Sequence, residues 1–457
     1  MEEFRAGDFF YPVDLLKTHR LLRRSERWTA AEFAAYQSTR LAALLRHCGA
    51  HVPFYEDLFR RTGVDSSAIT AESARGVLAG LPLLEKEQVR HAPEAFVARN
   101  AQTYRPRAVS TSGTTGTPLT IYWDRGSNVM EFCSIQRLWR WAGVRIGHPF
   151  LDLRSRLLSR ETPRARVEGR AVYLYNWKAR GLEFSSDLMD DASFDEYAAL
   201  LRRHRPRLVR GHPQAIQHLA TLARRHGLDD WRPRAVTTAS EALHAFQRQE
   251  IEAAWGVPVQ DSYGLKEHNV FIAQCRDRSY HVSPEYGICE VLDDDGRPAA
   301  PGTEGWIVAT GLHNYAQPLL RYNTQDRAVA GGNAVCACGR TLPMVDRLVG
   351  RIDDCLYTAD GRRFSGLSFA FFDRRGVVKA RIVQDRFDLA TVELVATDAF
   401  DIAERAALLD ALSRKVNHSL RFEIRPVETI EQPAGKYKFV VSRVSPSHQP
   451  AGTGRAD

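Results

Sequence analysis

Residues 195–264 alternate between helical and strand-like patterns, and this alternation constrains the fold more than any other feature of the 457-residue chain. The segment 195–227 reads as helix, strand and helix, and it closes at Gly227, a residue type that commonly ends helices. The segments "RAVTTASEAL", "AFQRQEIEAAWG" and "VPVQDSYG" then repeat strand, helix and strand. Strands that alternate with helices form parallel sheets covered by helices. We therefore expect an α/β protein with a mainly parallel sheet.

An amphipathic helix is predicted nearer the N-terminus, over residues 29–48. Thr29 is followed three residues later by Glu32, which is the pattern of a capping box. Apolar residues recur behind this cap at helical spacing, so we expect the helix to pack against the core. These residues are Phe33, Leu41, Leu44, Leu45 and Cys48.

The pattern changes after residue 281, where strands separated by Asp, Gly and Pro turns predict a β-rich subdomain. Beyond residue 351, the strands "KARIVQDR", "TVELVAT" and "RFEIRPVE" surround an amphipathic helix, which predicts a small α+β unit. Because 457 residues exceed one ordinary core, we expect a large domain at 1–351, a small domain at 352–446 and a disordered tail at 447–457. The apolar residues of this helix lie on one side at helical spacing: Ile402, Leu408, Leu409, Leu412, Val416 and Leu420.

Composition narrows the class of protein. The N-terminus does not have the pattern of a secretory signal, and no apolar stretch approaches the length of a membrane span. Seven cysteines favour a reducing cytoplasm, with thiols or metal ligands instead of disulfides. The net charge of +8 suits anionic small substrates, and no zinc-finger, helix-turn-helix or RNA-recognition pattern accompanies it. We expect a cytoplasmic protein that binds neither nucleic acid nor membranes.

A loop rich in hydroxyl groups, "STSGTTGTP", lies between two short strand patterns, "RPRAV" and "LTIYWD". Its glycines can adopt positive φ, and its backbone and hydroxyl donors suit phosphate oxygens. The Walker pattern of the usual P-loop is absent. The loop is therefore a candidate site for phosphate oxygens, formed by Ser110, Thr111, Ser112, Gly113, Thr114, Thr115 and Gly116.

This loop resembles the signature loop of acyl-adenylate-forming enzymes, the ANL superfamily, and three more segments resemble that family's motifs in the same order. They are "DSYGLKEH", "LLRYNTQD" and "VGRIDDCLYTADGRRFSG" with the downstream "PAGKYKF". Nearly the whole chain is similar to the phenylacetate-CoA ligase group, and most of all to its branch of capsular polysaccharide biosynthesis proteins. The resemblance implies a large adenylate-forming domain and a small mobile lid domain.

The first segment supplies residues on the nucleotide side. By resemblance, Tyr263 stacks on adenine and borders the acid pocket, Gly264 lets the backbone approach, and Glu267 holds Mg²⁺ on the phosphates. Lys266 departs from the family's usual Thr or Ser. A lysine there either adds a contact to the α-phosphate or occupies the metal's place.

The other segments complete the implied site. Asp326 binds both ribose hydroxyls, for which a carboxylate's two oxygens are suited. Arg351 contacts the nucleotide and Asp353 is the hinge of the small domain. Lys436 bridges the carboxylate and the α-phosphate during adenylation, because a cation stabilises the negative charge that gathers there. The resemblance also places Ser240, Glu241 and Ala242 in the adenine-side loop and His212 in the acid pocket, where a helix-capping or packed histidine is the alternative.

The cysteines outside the core pattern suggest a metal site. Cys336 and Cys338 form one close pair, and Cys275 with His281 forms another, a set that suits tetrahedral Zn²⁺. Several members of the similar group carry such a site, which would be structural because four protein ligands leave no open position. The remaining cysteines are expected to be small buried residues: Cys48, Cys133, Cys289 and Cys355.

These observations predict an ATP-dependent, AMP-forming ligase for a small-molecule carboxylic acid. The family resemblance makes coenzyme A the expected acceptor, and an amine or a carrier-protein thiol would use the same adenylation residues. A non-catalytic nucleotide-binding protein on the same fold is the alternative of another class, and Lys266 is the feature that points to it.

Overall fold

The computed structural model describes residues 12–110, 119–154, 162, 164–332, 335–351, 356–358, 363–364, 367–371, 374–416, 418–430 and 438–444. Most of the described residues up to Tyr104 are helical, and the strands follow. The α-helices are α1 Pro12–Arg24, α2 Ala30–His51, α3 Pro53–Thr62, α4 Ala74–Gly80, α5 Lys86–His91, α6 Arg125–Trp141, α7 Phe194–His204, α8 Pro213–Arg225, α9 Ala245–Trp255 and α10 Ile402–Lys415.

The strands form one large sheet, two two-stranded sheets and one four-stranded sheet. In chain order they are β1 Arg107–Ser110, β2 Thr120–Trp123, β3 Phe150–Arg154, β4 Arg166–Glu168, β5 Ala171–Asn176, β6 Gly181–Ser185, β7 Leu208–Gly211, β8 Ala235–Thr238, β9 Val259–Gly264, β10 Phe271–Gln274, β11 Tyr280–Val282, β12 Gly287–Leu292, β13 Glu304–Gly311, β14 Tyr322–Ala330, β15 Met344–Arg351, β16 Leu356–Tyr357, β17 Arg363–Phe364, β18 Val377–Arg386, β19 Leu389–Ala396, β20 Arg421–Pro426 and β21 Val440–Ser442.

The large sheet has the order β12-β13-β14-β15-β11-β10-β9-β8-β7-β3-β6-β5-β4. Strands β6, β3, β7, β8 and β9 are parallel to one another, and helices α7, α8 and α9 connect β6, β7, β8 and β9 in turn. This part confirms the α/β prediction. The predicted β-rich strands after residue 281 are also present, but they pair antiparallel and extend the same sheet beyond β9.

Helix α2 confirms the predicted N-terminal helix. Thr29 and Glu32 form the capping box, which satisfies backbone donors at the helix start. All five apolar residues predicted for its packed face are buried, and most join a core that includes Trp123 of β2 and residues 312–322. The N-terminal helices are thereby anchored to the segments that carry the candidate site.

The C-terminal unit has its own sheet, in the order β20-β19-β18-β21, with α10 against it. The predicted α+β unit is therefore present. One residue of the predicted apolar side does not pack against the core: Ile402 is 87% exposed. Ile402 is the first residue of α10, directly after the Asp401 cap, and periodicity defines a face without showing where along the helix the packing ends. The predicted boundary at residue 351 and the tail stay predictions.

Among the described residues, none of the helices combines the length and the apolar composition that a membrane span requires. Cys48 and Cys133 are buried as predicted, and Cys289 is partly buried. Burial raises the pKa of Cys133 and Cys289 to about 12, so both act as neutral apolar groups. Cys355 lies outside the described residues.

Candidate active site and metal centre

The two strands around the hydroxyl-rich loop form the predicted hairpin. β1 pairs antiparallel with β2, and the register runs from Arg107 opposite Trp123 to Ser110 opposite Thr120. The loop residues Thr111, Ser112, Gly113, Thr114, Thr115 and Gly116 lie outside the described residues, as does the side chain of Ser110. The hairpin therefore places the two ends of the predicted phosphate loop next to each other.

Trp123 attaches this hairpin to the segment that contains Lys266 and Glu267. Its indole Nε1–H donates a hydrogen bond to the backbone carbonyl of Lys266. Its ring also stacks on His268, with centroids 4.2 Å apart and an interplanar angle of 11°. His268 is buried and has φ +52°, so this turn is held by its side-chain packing. The β1–β2 hairpin and the turn that carries Glu267 thus belong to one packed unit.

Two carboxylates accept hydrogen bonds from tyrosines at this site. The hydroxyl of Tyr322 donates to Oε1 of Glu267 at 2.9 Å, and the hydroxyl of Tyr263 donates to Oδ2 of Asp326 at 2.8 Å. Glu267 and Asp326 are 6% and 5% exposed. Burial, and then the charge of Asp326, raises the pKa of Tyr263 well above its usual value. Tyr263 therefore stays a neutral donor, which orients Asp326.

Strand β14 connects the two pairs, because Tyr322 begins it and Asp326 lies four residues later. Its neighbour β15 places the backbone of Arg351 directly opposite Asp326. The side chain of Arg351 lies outside the described residues. The sheet register thus pairs two residues that have predicted roles in nucleotide binding.

The adenine-side loop begins where β8 ends. Ser240 has φ +73°, a conformation that non-glycine residues seldom adopt, and it follows Ala239, whose N–H bonds to the carbonyl of Gly211. Nδ1 of His212 lies 3.4 Å from Oε1 of Glu241, and the side chain of Glu241 is 6% exposed. His212 occupies the cap position of α8 without a side-chain capping bond. Its side chain is directed to Glu241 instead.

His212, Glu241 and Tyr263 follow or end the parallel neighbours β7, β8 and β9. The carboxyl ends of parallel strands meet at one edge of a sheet, which is where ligands bind in open α/β folds. Ser240, Ala242 and Gly264 belong to the same edge. Asp353 and Lys436 lie outside the described residues, so their predicted roles are carried by the sequence.

The four predicted metal ligands come together. Their ligand atoms all lie within 4.8 Å of one another. The sulfurs of Cys275 and Cys336 are 3.7 Å apart, and Sγ of Cys338 is 3.3 Å from Nε2 of His281. Zinc–ligand bonds of about 2.3 Å for sulfur and 2.0 Å for nitrogen imply tetrahedral edges of about 3.5–3.8 Å. The donor set and its spacing therefore fit Zn²⁺.

Strand pairing builds this metal centre. Cys275 follows β10, His281 lies in the adjacent β11, and the segment with Cys336 and Cys338 leads into β15, which pairs with β11. Nδ1 of His281 lies 3.4 Å from the carbonyl of Leu342, a contact that leaves Nε2 directed toward the sulfurs. Burial raises the pKa of Cys275 to about 12, so a cation is the natural means of holding it as a thiolate.

Three residues at the site were not assigned by sequence reasoning: Trp123, His268 and Tyr322. Each lies within a motif or directly beside one, since Trp123 ends the strand after the loop, His268 ends "DSYGLKEH" and Tyr322 lies in "LLRYNTQD". An aromatic residue next to a motif residue was the available signal.

Known proteins are similar to the C-terminal unit and to most of the chain. The model of the CapK C-terminal domain family matches residues 356–443. Phenylacetate-coenzyme A ligase of Thermus thermophilus is 27% identical over 334 residues, which cover 70% of this chain and 71% of that protein. Protein CapK of Staphylococcus aureus is 19% identical over 414 residues, which cover 89% of each chain. The chain is a homologue of the phenylacetate-coenzyme A ligases and of CapK.

This relationship confirms the family resemblance predicted from the motifs. The fold agrees as well. A crystal structure of 2-hydroxyisobutyryl-CoA ligase in the postadenylation state, in complex with an acyl-AMP, superposes with a TM-score of 0.70. It is 20% identical, and the match covers 92% of this chain and 91% of that one. The large mixed sheet and the separate C-terminal unit thus have the same fold as that structure.

Proposed function

We propose that this protein is an ATP-dependent, AMP-forming ligase that activates a carboxylic acid and transfers the acyl group to coenzyme A. The observation that carries this proposal is the pairing of Tyr263 with Asp326 and of Tyr322 with Glu267. These contacts orient two carboxylates from separate segments, and Trp123 joins the segment that carries Glu267 to the hairpin around the phosphate loop. The site therefore has one acidic group for the ribose diol and one for a cation on the phosphates.

In the first step, a carboxylate oxygen of the acid attacks the α-phosphorus of ATP. A bond forms between that oxygen and phosphorus, the bond from the α-phosphorus to the bridging oxygen breaks, and pyrophosphate leaves. Asp326 holds the ribose, and the loop at 110–118 guides the pyrophosphate. Lys436 stabilises the negative charge that accumulates when one anion attacks another.

Magnesium fits this arrangement through Glu267. Carboxylate oxygens are the protein ligands that Mg²⁺ uses beside phosphates, and Tyr322 already orients one oxygen of Glu267. When bound, the ion neutralises phosphate charge. Lys266 adjoins this position in the sequence, and its charge would either add a contact to the α-phosphate or take the place of the metal.

In the second step, the thiol of coenzyme A attacks the acyl carbon, and AMP leaves with the acyl–oxygen bonding pair. The small domain turns about Asp353 between the steps and removes Lys436 from the site. Relatives named for coenzyme A ligation support this acceptor. An amine or a carrier-protein thiol remains the alternative acceptor, and product analysis with each nucleophile separates them.

We also propose that Cys275, His281, Cys336 and Cys338 bind a structural Zn²⁺. Four protein ligands leave no position for substrate, and the cluster is formed by β10, β11 and the segment before β15. The ion would fasten three chain segments of the sheet. It is predicted to support the fold and to take no part in the reaction.

The test is ATP–pyrophosphate exchange with a panel of aryl, acyl and amino acids, with the wild type beside Lys436→Ala. Exchange that depends on one acid and is lost in the variant supports adenylation and identifies the substrate. Tight ATP binding without exchange for any acid favours the non-catalytic nucleotide-binding alternative. In that case Lys266→Thr is the next variant, because it restores the residue that the related ligases usually have.

A further inference from the structure

Phe439 joins the C-terminal unit to the large domain. It is 2% exposed and lies among rings from both parts of the chain. The ring of His244 is 4.4 Å away, that of Phe246 is 6.3 Å away, and Phe371 of the C-terminal unit packs edge-on at 5.3 Å. His244 caps helix α9, and Phe246 belongs to its first turn. The start of α9 therefore completes the packing around Phe439.

Phe246 is an integral part of this packing. It is 2% exposed, and the apolar core that it joins otherwise consists of residues beyond 355, such as Leu356 and Ile382. A large-domain side chain thus fills space inside the core of the C-terminal unit. Burial also lowers the pKa of His244 to about 3, which keeps its ring neutral in this apolar contact.

A polar contact reinforces the same interface. The side-chain amide of Gln217 in α8 donates to the carbonyl of Val378 in β18 at 2.9 Å and to Oε2 of Glu250 at 2.5 Å. Glu250 also accepts from Thr221 at 2.5 Å. This network fixes the direction of the Gln217 amide. Two helices of the large domain therefore contact the C-terminal sheet, one by rings and one by a hydrogen bond.

The residues of this contact lie close in sequence to two residues with predicted roles at the nucleotide site, Glu241 and Lys436. His244 lies three positions after Glu241 in the sequence, and Phe439 lies three positions after Lys436. Three residues of chain span at most about 11 Å. We propose that Phe439 is a positioning residue for adenylation: its seating against His244 and Phe246 holds the C-terminal unit on the large domain in the arrangement that the first half-reaction uses. This inference rests on the proposed function.

The first experiment needs no substrate. Hydrogen–deuterium exchange is measured for the wild type and for Phe439→Leu, which removes the ring and retains an apolar side chain. Faster exchange in 245–255 and 377–383, without a general increase, is expected if the contact exists in solution. Unchanged exchange in both segments would overturn the proposal. If Phe439→Leu does not fold, His244→Leu tests the same contact from the large domain.

The second experiment separates the two half-reactions, with the acid found by the exchange panel. Phe439→Leu is expected to lower kcat of ATP–pyrophosphate exchange at least tenfold with KM for ATP within twofold. Thioester formation from supplied acyl-adenylate and coenzyme A is expected to stay within twofold of the wild type. Equal losses in both half-reactions indicate a merely structural role and overturn the proposal.

Phe422→Leu is the matched control. Phe422 packs on the same C-terminal core from β20, which lies at the far edge of the sheet from β21, the strand after Phe439. It is expected to leave both half-reactions unchanged, and a loss of adenylation equal to that of Phe439→Leu would overturn the proposal. A wild type that catalyses neither half-reaction would instead overturn the proposed function. The positioning role would fall with it, even if hydrogen–deuterium exchange shows that the contact exists in solution.

Discussion

Trp123 and His268 lie nearly parallel with their ring centroids 4.2 Å apart, and this stack joins the phosphate-loop hairpin to the turn that carries Glu267. The indole N–H of Trp123 adds a hydrogen bond to the carbonyl of Lys266. Trp123 is also 2% exposed and belongs to the core around α2. Core packing and the position of the proposed ATP site therefore depend on one side chain.

Two variants of Trp123 separate these contributions. Trp123→Phe retains a ring and removes the N–H that donates to the Lys266 carbonyl, so we expect a loss of about 0.5–1.5 kcal/mol in the free energy of unfolding. Trp123→Ala removes the stack and creates a cavity, for a loss of about 3–5 kcal/mol. Both variants should bind ATP more weakly, as measured by titration calorimetry. Trp177→Ala is the control, since Trp177 is 69% exposed, and an equal effect there would contradict the assignment.

The assignment of Asp326 to the ribose is tested with nucleotides that lack hydroxyl groups. Asp326→Asn keeps the shape of the side chain and an acceptor for Tyr263 but loses the charge that strengthens hydrogen bonds to a diol. We expect it to bind ATP about tenfold more weakly, and to bind ATP and 2′,3′-dideoxy-ATP about equally. The wild type should prefer ATP. Equal preference in wild type and variant would show that Asp326 does not contact the ribose.

The metal site predicts one Zn²⁺ per chain in the purified protein, measured by elemental mass spectrometry. Cys336→Ser and Cys338→Ser should each lose the metal and lower Tm, because the ion holds three segments of the sheet. Adenylation by the remaining folded protein should persist. Cys289→Ser is the matched control, since Cys289 lies outside the cluster. Full zinc content in the Cys338 variant would rule out the four-ligand site.

Much of this structure follows from local sequence rules. The cap at Thr29 and the apolar spacing predict helix α2. The alternation of strand and helix patterns predicts the parallel strands. The motifs located the segments that form the site because each motif keeps its residues near one strand end. Capping, periodicity and strand–helix alternation are determined within a few residues, so one sequence is enough to read them.

The pairings across the site could not be predicted in the same way. That Tyr322 bonds to Glu267 depends on how β14 lies relative to the turn after β9, and these segments are 55 residues apart in sequence. The register between β14 and β15 is irregular, and its shifts likewise decide that the backbone of Arg351 pairs with that of Asp326. The exposure of Ile402 could not be predicted for a related reason, since the tertiary structure decides how far along the helix the packed surface extends.

Acid pH should destabilise the fold through two buried histidines. Burial lowers the pKa of His244 and of His313 to about 3 from the usual 6.5. Nε2–H of His313 donates to the carbonyl of Glu285 at 2.7 Å, and Nδ1 accepts from Arg40 at 3.1 Å, which accounts for a neutral ring. Between about pH 6.5 and 3, the unfolded chain binds protons that the folded chain excludes.

The stabilisation is therefore fully present above pH 6.5 and is lost as the pH falls toward 3. Each histidine should contribute a slope of roughly 1 kcal/mol per pH unit to the free energy of unfolding within that window. Urea unfolding from pH 7.5 to 5 measures the slope. His244→Phe retains an aromatic ring beside Phe439 and should reduce the slope by one histidine's share, while His313→Gln should do the same independently. A slope unchanged in both variants would assign the acid sensitivity to other groups.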